Sequence, residues 1–239
     1  MKKNNRKSYI CVLMSVILAA LVFALPIYGA EKENAFDGKI SGWKEANGER
    51  YYFQEDGTMG LGWITIGNDF YYFYEEETEE HKKGSMAKNT VIDGYVIAPN
   101  GVNNQAVQEA ALLVSKMDHN IAKCFNWCAR LPYETNVIDD SVGSAWLAQY
   151  GFEHEMGNCY VMAATFYYCA LLLGYDAHQI SGYVPGEYEL SPHSWVEINL
   201  GGKTFICDPD FEEETEMNGY MITNGQPDSW MYIAFHKMN

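Results

Sequence analysis

A repeat with a 20-residue offset near the start of the chain constrains the fold most. Gly42-Trp43 recurs as Gly62-Trp63, and Tyr51-Tyr52-Phe53 recurs as Tyr71-Tyr72-Phe73. Asn47-Gly48 and Asp56-Gly57 read as turns between short aromatic strands. A degraded third copy follows. Gly84-Ser85-Met86 echoes Gly57-Thr58-Met59, and Gly94-Tyr95-Val96-Ile97 stands where an aromatic trio would be. With so short a period, no unit buries its apolar face alone, so neighbours must stack. The acidic run Glu75–Glu80 between copies reads as a solvated loop.

Ahead of the repeat, Lys2–Lys7 is basic, Ile10–Leu25 is apolar apart from Ser15, and Pro26–Ala30 offers small residues. That order predicts a secretory signal over residues 1–30, with an uncleaved anchor as the alternative. The chain carries 32 acidic against 16 basic residues, a formal charge of −16. Such a balance repels phosphate backbones and lacks the basic patch that grips an anionic membrane, which argues against a nucleic-acid partner. Five cysteines lie beyond the signal: Cys124, Cys128, Cys159, Cys169 and Cys207. An odd number in an exported chain implies at least one free thiol. Cys124 and Cys128 are four apart, without a Cys-x-x-Cys pair or a nearby histidine set. No metal or other cofactor is therefore expected.

The rest of the chain reads as mixed α and β. Asn104–Arg130 has apolar residues at close to helical spacing and is expected to be one helix, ended by Leu131-Pro132-Tyr133. Residues 134–156 read as a loop with a short helix around Ser144–Tyr150. Asn158 is a good N-cap for the apolar run Tyr160–Leu173, and Gly174 sits where a C′ glycine belongs. The run is apolar nearly all round, which predicts a central, buried helix. Cys159 then lies on its first turn, where unpaired N–H groups and the positive dipole end favour a thiolate.

Gln179–Val184, His193–Leu200 and Lys203–Asp208 read as strands, the last two joined by a tight turn at Gly201-Gly202. A symmetric hairpin there pairs residues whose numbers sum to 403. Asp208 then becomes the diagonal neighbour of His193 on one sheet face, about 7–8 Å away at the backbone. Cys207 has the opposite parity. His193 is thus nominated as a base and Asp208 as its orienter, with Asp210 the runner-up. Docked beside Cys159, they would form an activated thiol. Glu212–Glu216 reads as solvated loop, and Tyr220–Thr223 and Trp230–Phe235 as terminal strands.

Two resemblances sharpen this reading. Residues 38–103 resemble bacterial cell-wall-binding repeats of the choline- and glucan-binding type, through the pattern GW…NG…YYF…DG…M. The resemblance implies aromatic cages or platforms built from Trp43, Tyr52, Trp63 and Tyr72, with a choline-bearing polymer or wall glycan as partner. Because only two copies keep their tryptophan, at most one or two sites are expected. A hairpin stack that merely packs on the next domain is the alternative. Residues 107–211 are similar to the transglutaminase-like superfamily, circularly permuted relatives of papain-like cysteine peptidases. The motifs are Gly157-Asn158-Cys159, Leu173–Ala177, Ser181-Gly182-Tyr183, His193–Glu197 and Cys207-Asp208-Pro209. The resemblance implies Cys159 as nucleophile, His193 as general base and acid, and Asp208 as its orienter. His178 replaces a usual arginine and Phe205 a usual tryptophan, so the resemblance does not define the substrate. The Cys159 N–H is one candidate oxyanion donor, with a side chain of Tyr133 or Trp146 as a second.

The expectation is an α+β chain with three parts: signal 1–30, hairpin repeats 38–103 and a cysteine domain 104–239. The activity expected is that of a cell-envelope cysteine peptidase or amidase, secreted or held at the wall, acting on a peptide or protein amide. Protein cross-linking by acyl transfer and a non-catalytic wall-binding role are the alternatives.

Overall fold

The computed structural model describes residues 40–135, 139–215, 217–225, 229 and 231–239. The signal expected over residues 1–30 lies outside them, as does Trp230. Residues 39–239 form one compact unit. Among the described residues no helix is long and apolar enough to cross a membrane.

Three two-stranded hairpins come first: β1 (Gly42–Ala46) with β2 (Glu49–Phe53), β3 (Gly62–Ile66) with β4 (Asp69–Phe73), and β5 (Thr90–Ile92) with β6 (Tyr95–Ile97). Asn47 and Gly48 at the first turn, and Asp93 and Gly94 at the third, have positive φ, as a type I′ turn requires. The Gly-x-Met echo has a structural meaning. Met59 bridges Phe53, and Met86 bridges Phe73, so each echo ties a hairpin to the segment after it.

The residues expected to form one helix over 104–130 form two, α1 (Gln105–Lys116) and α2 (Ile121–Cys128). Asp118 and His119 both adopt left-handed φ, and the Asn120 side chain caps α2 by accepting from the Lys123 N–H. Turn-forming side chains here outweigh a continuous apolar stripe. α3 (Ser144–His154) runs a turn longer than expected, and α4 (Cys159–Leu172) is the central helix, buried on all sides. Gly174 ends it with φ of 80°.

A five-stranded antiparallel sheet covers α4. Its strands are β7 (Asp176–Pro185), β8 (Leu190–Leu200), β9 (Lys203–Cys207), β10 (Ile222–Thr223) and β11 (Ile233–Lys237), in the order β10-β9-β8-β7-β11. Val196, Ile198 and Cys207 share the main core with Val161, Phe166 and Cys169 of α4. Trp195, Ile180 and Ile206 belong to a separate, smaller cluster backed by Tyr232. The β8–β9 pairs run from Val196 with Cys207 to Leu200 with Lys203, the expected register.

Pairing stops at Cys207. Of the acidic segment expected to be loop, residues 212–215 instead join α5 (Pro209–Thr215), and residue 216 lies outside the described residues. Pro209 sits on its first turn, and Asp208 Oδ1 accepts from the Phe211 N–H at 3.1 Å.

Candidate active site

The first turn of α4 carries Cys159, and the sheet holds that turn in place. Asn158 caps the helix by accepting from the Tyr160 and Val161 N–H groups. Gln179 on β7, wholly buried, donates through Nε2 to the Tyr160 carbonyl and to Ser194 Oγ, each at 3.0 Å. One amide therefore ties the residue after Cys159 to the residue after His193.

His193 on β8 is buried, its ring stacked on Trp195 and tilted against Tyr232. Its Nε2 lies 2.7 Å from Asp208 Oδ2, and its Nδ1 lies 3.7 Å from Asp210 Oδ2. The Cys159 sulfur, one His193 ring nitrogen and one Asp210 oxygen all lie within 4.8 Å of one another. The three residues picked out from the sequence therefore converge, and Asp210 joins them from the first turn of α5. These three groups offer a sulfur, a nitrogen and an oxygen at metal-ligand spacing, and two of them, Cys159 and His193, are the residues that thiol chemistry would use.

Burial by itself would lower the His193 pKa. The Asp208 carboxylate beside the ring, with a further contribution from Cys159, overturns that and raises it to about 11. A protonated imidazole thus sits against the sulfur across the neutral range. Cys124 and Cys169 interact between α2 and α4, beside Cys128, and both are pushed well up. Burial raises the Cys207 thiol to about 12.

Tyr232 completes the site and was not visible in the sequence. Its hydroxyl donates to Asp208 Oδ2 at 2.8 Å from a C-terminal segment without a motif. Gln179 was equally silent, being one polar residue on an alternating strand. Of the two side chains considered for the oxyanion, Tyr133 pairs by backbone with Gly157, two residues before Cys159. Trp146 lies on α3 with its ring stacked on Tyr150.

In the hairpins, Trp43 stands opposite Tyr52 and Trp63 opposite Tyr72, with ring centroids 5.4 and 5.3 Å apart. Each tryptophan also meets a tyrosine from the next hairpin: Tyr71 at 4.9 Å for Trp43, and Tyr95 at 5.9 Å for Trp63. The repeat pattern did not single out Tyr71 and Tyr95 as cluster members, because they depend on how the hairpins stack.

The fold is α+β, with stacked hairpins ahead of a helix-and-sheet region that holds a buried Cys–His–Asp cluster. Residues 41–59 and 62–76 match the family described as "Putative cell wall binding repeat", of the choline-binding type. No curated protein sequence matches the chain. Among solved structures, CbpF, the choline binding protein F of Streptococcus pneumoniae, is 31% identical over 28% of this chain, with a TM-score of 0.24. The chain spans only 19% of CbpF. A protein described as a "Putative Cysteine Protease" from Cytophaga hutchinsonii is 14% identical over 56% of this chain and 49% of its own, with a TM-score of 0.38. Arylamine N-acetyltransferase C of Bacillus anthracis is 16% identical over 45% of this chain and 49% of its own, with a TM-score of 0.35.

Proposed function

We propose that the protein is an exported cell-envelope cysteine hydrolase, a peptidase or amidase, whose domain of residues 104–239 has a transglutaminase-like plan. The observation that carries this reading is the 2.7 Å contact of His193 with Asp208 on one ring nitrogen, with the Cys159 sulfur close by.

The chemistry follows from the charge arrangement. The Cys159 sulfur attacks an amide carbonyl, and the Cys159 N–H, on the first turn of α4, is the candidate donor to the oxyanion. His193, already protonated, gives its proton to the departing amine as the C–N bond breaks, leaving a thioester. The neutral imidazole then takes a proton from water. Attack of that water on the thioester expels the Cys159 thiolate and releases the acid, and the proton stays on His193, which restores the starting thiolate–imidazolium pair. Asp208 keeps Nε2 engaged throughout, so the ring cannot turn away.

Residues 38–103 are proposed to hold the enzyme on a choline-bearing wall polymer or glycan through Trp43, Tyr52, Trp63 and Tyr72. The match to choline-type repeats supports that assignment.

The test is incubation of the purified chain with a peptide and a labelled primary amine. Release of free acid supports hydrolysis, and label on the peptide supports acyl transfer. Neither product, with the chain folded, leaves the domain a scaffold. For the repeats, retention on immobilised choline or glucan should fall in Trp63→Ala, and no retention of the parent chain contradicts the binding assignment.

A further inference from the structure

The groups around Cys159 are arranged to do more than move a proton. The Cys159 sulfur, a His193 ring nitrogen and an Asp210 oxygen lie within 4.8 Å of one another, and among the described residues no other trio of ligand-type side chains has that spacing. Asp208 occupies His193 Nε2, so Nδ1 is the nitrogen left to face an ion. Nδ1 stands 3.7 Å from Asp210 Oδ2. Two ligands of one tetrahedral zinc ion, each about 2.1 Å from the metal, stand about 3.4 Å apart. The nitrogen and oxygen thus lie within a few tenths of an ångström of that edge. The sulfur reaches the third corner by a movement on the order of 1 Å.

The surroundings also suit a metal. A metal-bound imidazole ordinarily donates its other N–H to a carboxylate, which fixes the ring and strengthens the ligand. Asp208 accepts in that place at 2.7 Å, and the Tyr232 hydroxyl donates to the same oxygen. The other Asp208 oxygen caps α5, whose first turn brings Asp210. One carboxylate therefore positions two of the three ligands. Charge favours a cation as well, since two carboxyl groups and a thiol, all able to turn negative, surround one imidazole. The thiol decides which cation: sulfur and imidazole select zinc and its neighbours, whereas magnesium and calcium demand oxygen. Cys159 and His193 keep 6% and 8% of their surface exposed, so the ion has a way in.

We propose that Cys159, His193 and Asp210 form a zinc site, with water as fourth ligand, that closes the enzyme reversibly. The closure rests on the hydrolase reading, and the ligand set rests on the geometry. On binding, Zn²⁺ forms bonds to the Cys159 thiolate, the Asp210 carboxylate and His193 Nδ1. The Nδ1 proton leaves to solvent, and Nε2–H stays bonded to Asp208. The sulfur can then no longer attack, and His193 no longer carries the proton that the leaving amine needs. Removal of the ion by a chelator lets Nδ1 regain its proton. No zinc motif marks the sequence, because the ligands come from α4, β8 and α5.

The experiment is titration of the full chain with Co²⁺, which takes zinc's place and reports a thiolate ligand by charge-transfer absorption in the near ultraviolet. One Co²⁺ per chain with that absorption is expected, lost in Cys159→Ser and displaced by Zn²⁺ but not by Mg²⁺. Asp210→Asn, its fold checked by circular dichroism, should bind Zn²⁺ at least tenfold more weakly, and Asp208→Asn about 10–100-fold more weakly. X-ray absorption on the zinc-loaded parent should give one sulfur among nitrogen and oxygen ligands, which tests the set without a variant. In the parent, Zn²⁺ should stop amide hydrolysis and a chelator restore it. Absence of the cobalt absorption in the parent, its survival in Cys159→Ser, or a second sulfur on zinc overturns the site. Equal affinity in folded Asp210→Asn overturns the third ligand. Hydrolysis that continues with zinc bound overturns the closure. Metal binding as described in a chain that hydrolyses nothing contradicts the hydrolase reading, and the closure with it, while the metal site stands.

Discussion

Asp208 binds the His193 ring through one carboxylate oxygen, at 2.7 Å, and caps α5 through the other. The oxygen on His193 also accepts from the Tyr232 hydroxyl. One side chain thus fixes the imidazole, the helix that delivers Asp210, and the C-terminal segment. Asp208→Ala is expected to cost about 3 kcal/mol in urea unfolding, because it strands a buried imidazole as well as a helix end. Asp208→Asn retains a capping oxygen, so its stability loss should be smaller than that of Asp208→Ala. Its activity should fall on the order of 10²–10⁴-fold, as the carboxylate's hold on the imidazolium is lost.

Tyr232→Phe removes only the hydroxyl. It should reduce kcat by about tenfold with KM nearly unchanged, and lower stability by about 1 kcal/mol. Steady-state kinetics check this, and an unchanged kcat would show that the hydroxyl does not hold Asp208 for catalysis.

His193 has a pKa raised from 6.5 in a free imidazole to about 11 in the folded protein. The folded state therefore binds the proton more tightly than the unfolded state, and stability from this group falls as pH rises. The advantage of the parent over His193→Gln should be constant below about pH 6.5 and shrink steadily towards about pH 11. Chemical unfolding of the pair across that range reads it out. An advantage that grows with pH would reverse the assigned charge.

Gly182 stands opposite His193 on β7. A Cβ there would lie 2.4 Å from the Ile233 carbonyl oxygen and 2.5 Å from the Trp195 ring. Gly182→Ala must push β11 or Trp195 aside, at a cost of about 1–3 kcal/mol. Thermal unfolding should show a lower Tm, with activity falling alongside it because Trp195 stacks on His193.

The hairpin register was legible in the sequence because a two-glycine turn leaves little freedom in how β8 and β9 pair. Cys159 was legible because Asn158 and the apolar run after it define a helix start. What lay hidden depended on elements meeting in space. Asp208 was expected as a strand residue, yet it acts as a cap, and Pro209 on the first turn of a helix was the overlooked signal. The break between α1 and α2 was written in Asp118-His119-Asn120, whose turn chemistry a purely apolar count ignores. Tyr232 and Gln179 had no local signature. Their roles arise from sheet closure and helix docking, which no short window of residues encodes.

Alkylation of the cysteines by iodoacetamide at about pH 6, followed residue by residue by mass spectrometry, tests the account most directly. Cys159 should react at least tenfold faster than Cys124, Cys128, Cys169 and Cys207, and that advantage should vanish in His193→Ala. Equal, slow labelling of all five, unchanged by His193→Ala, would contradict an activated thiol.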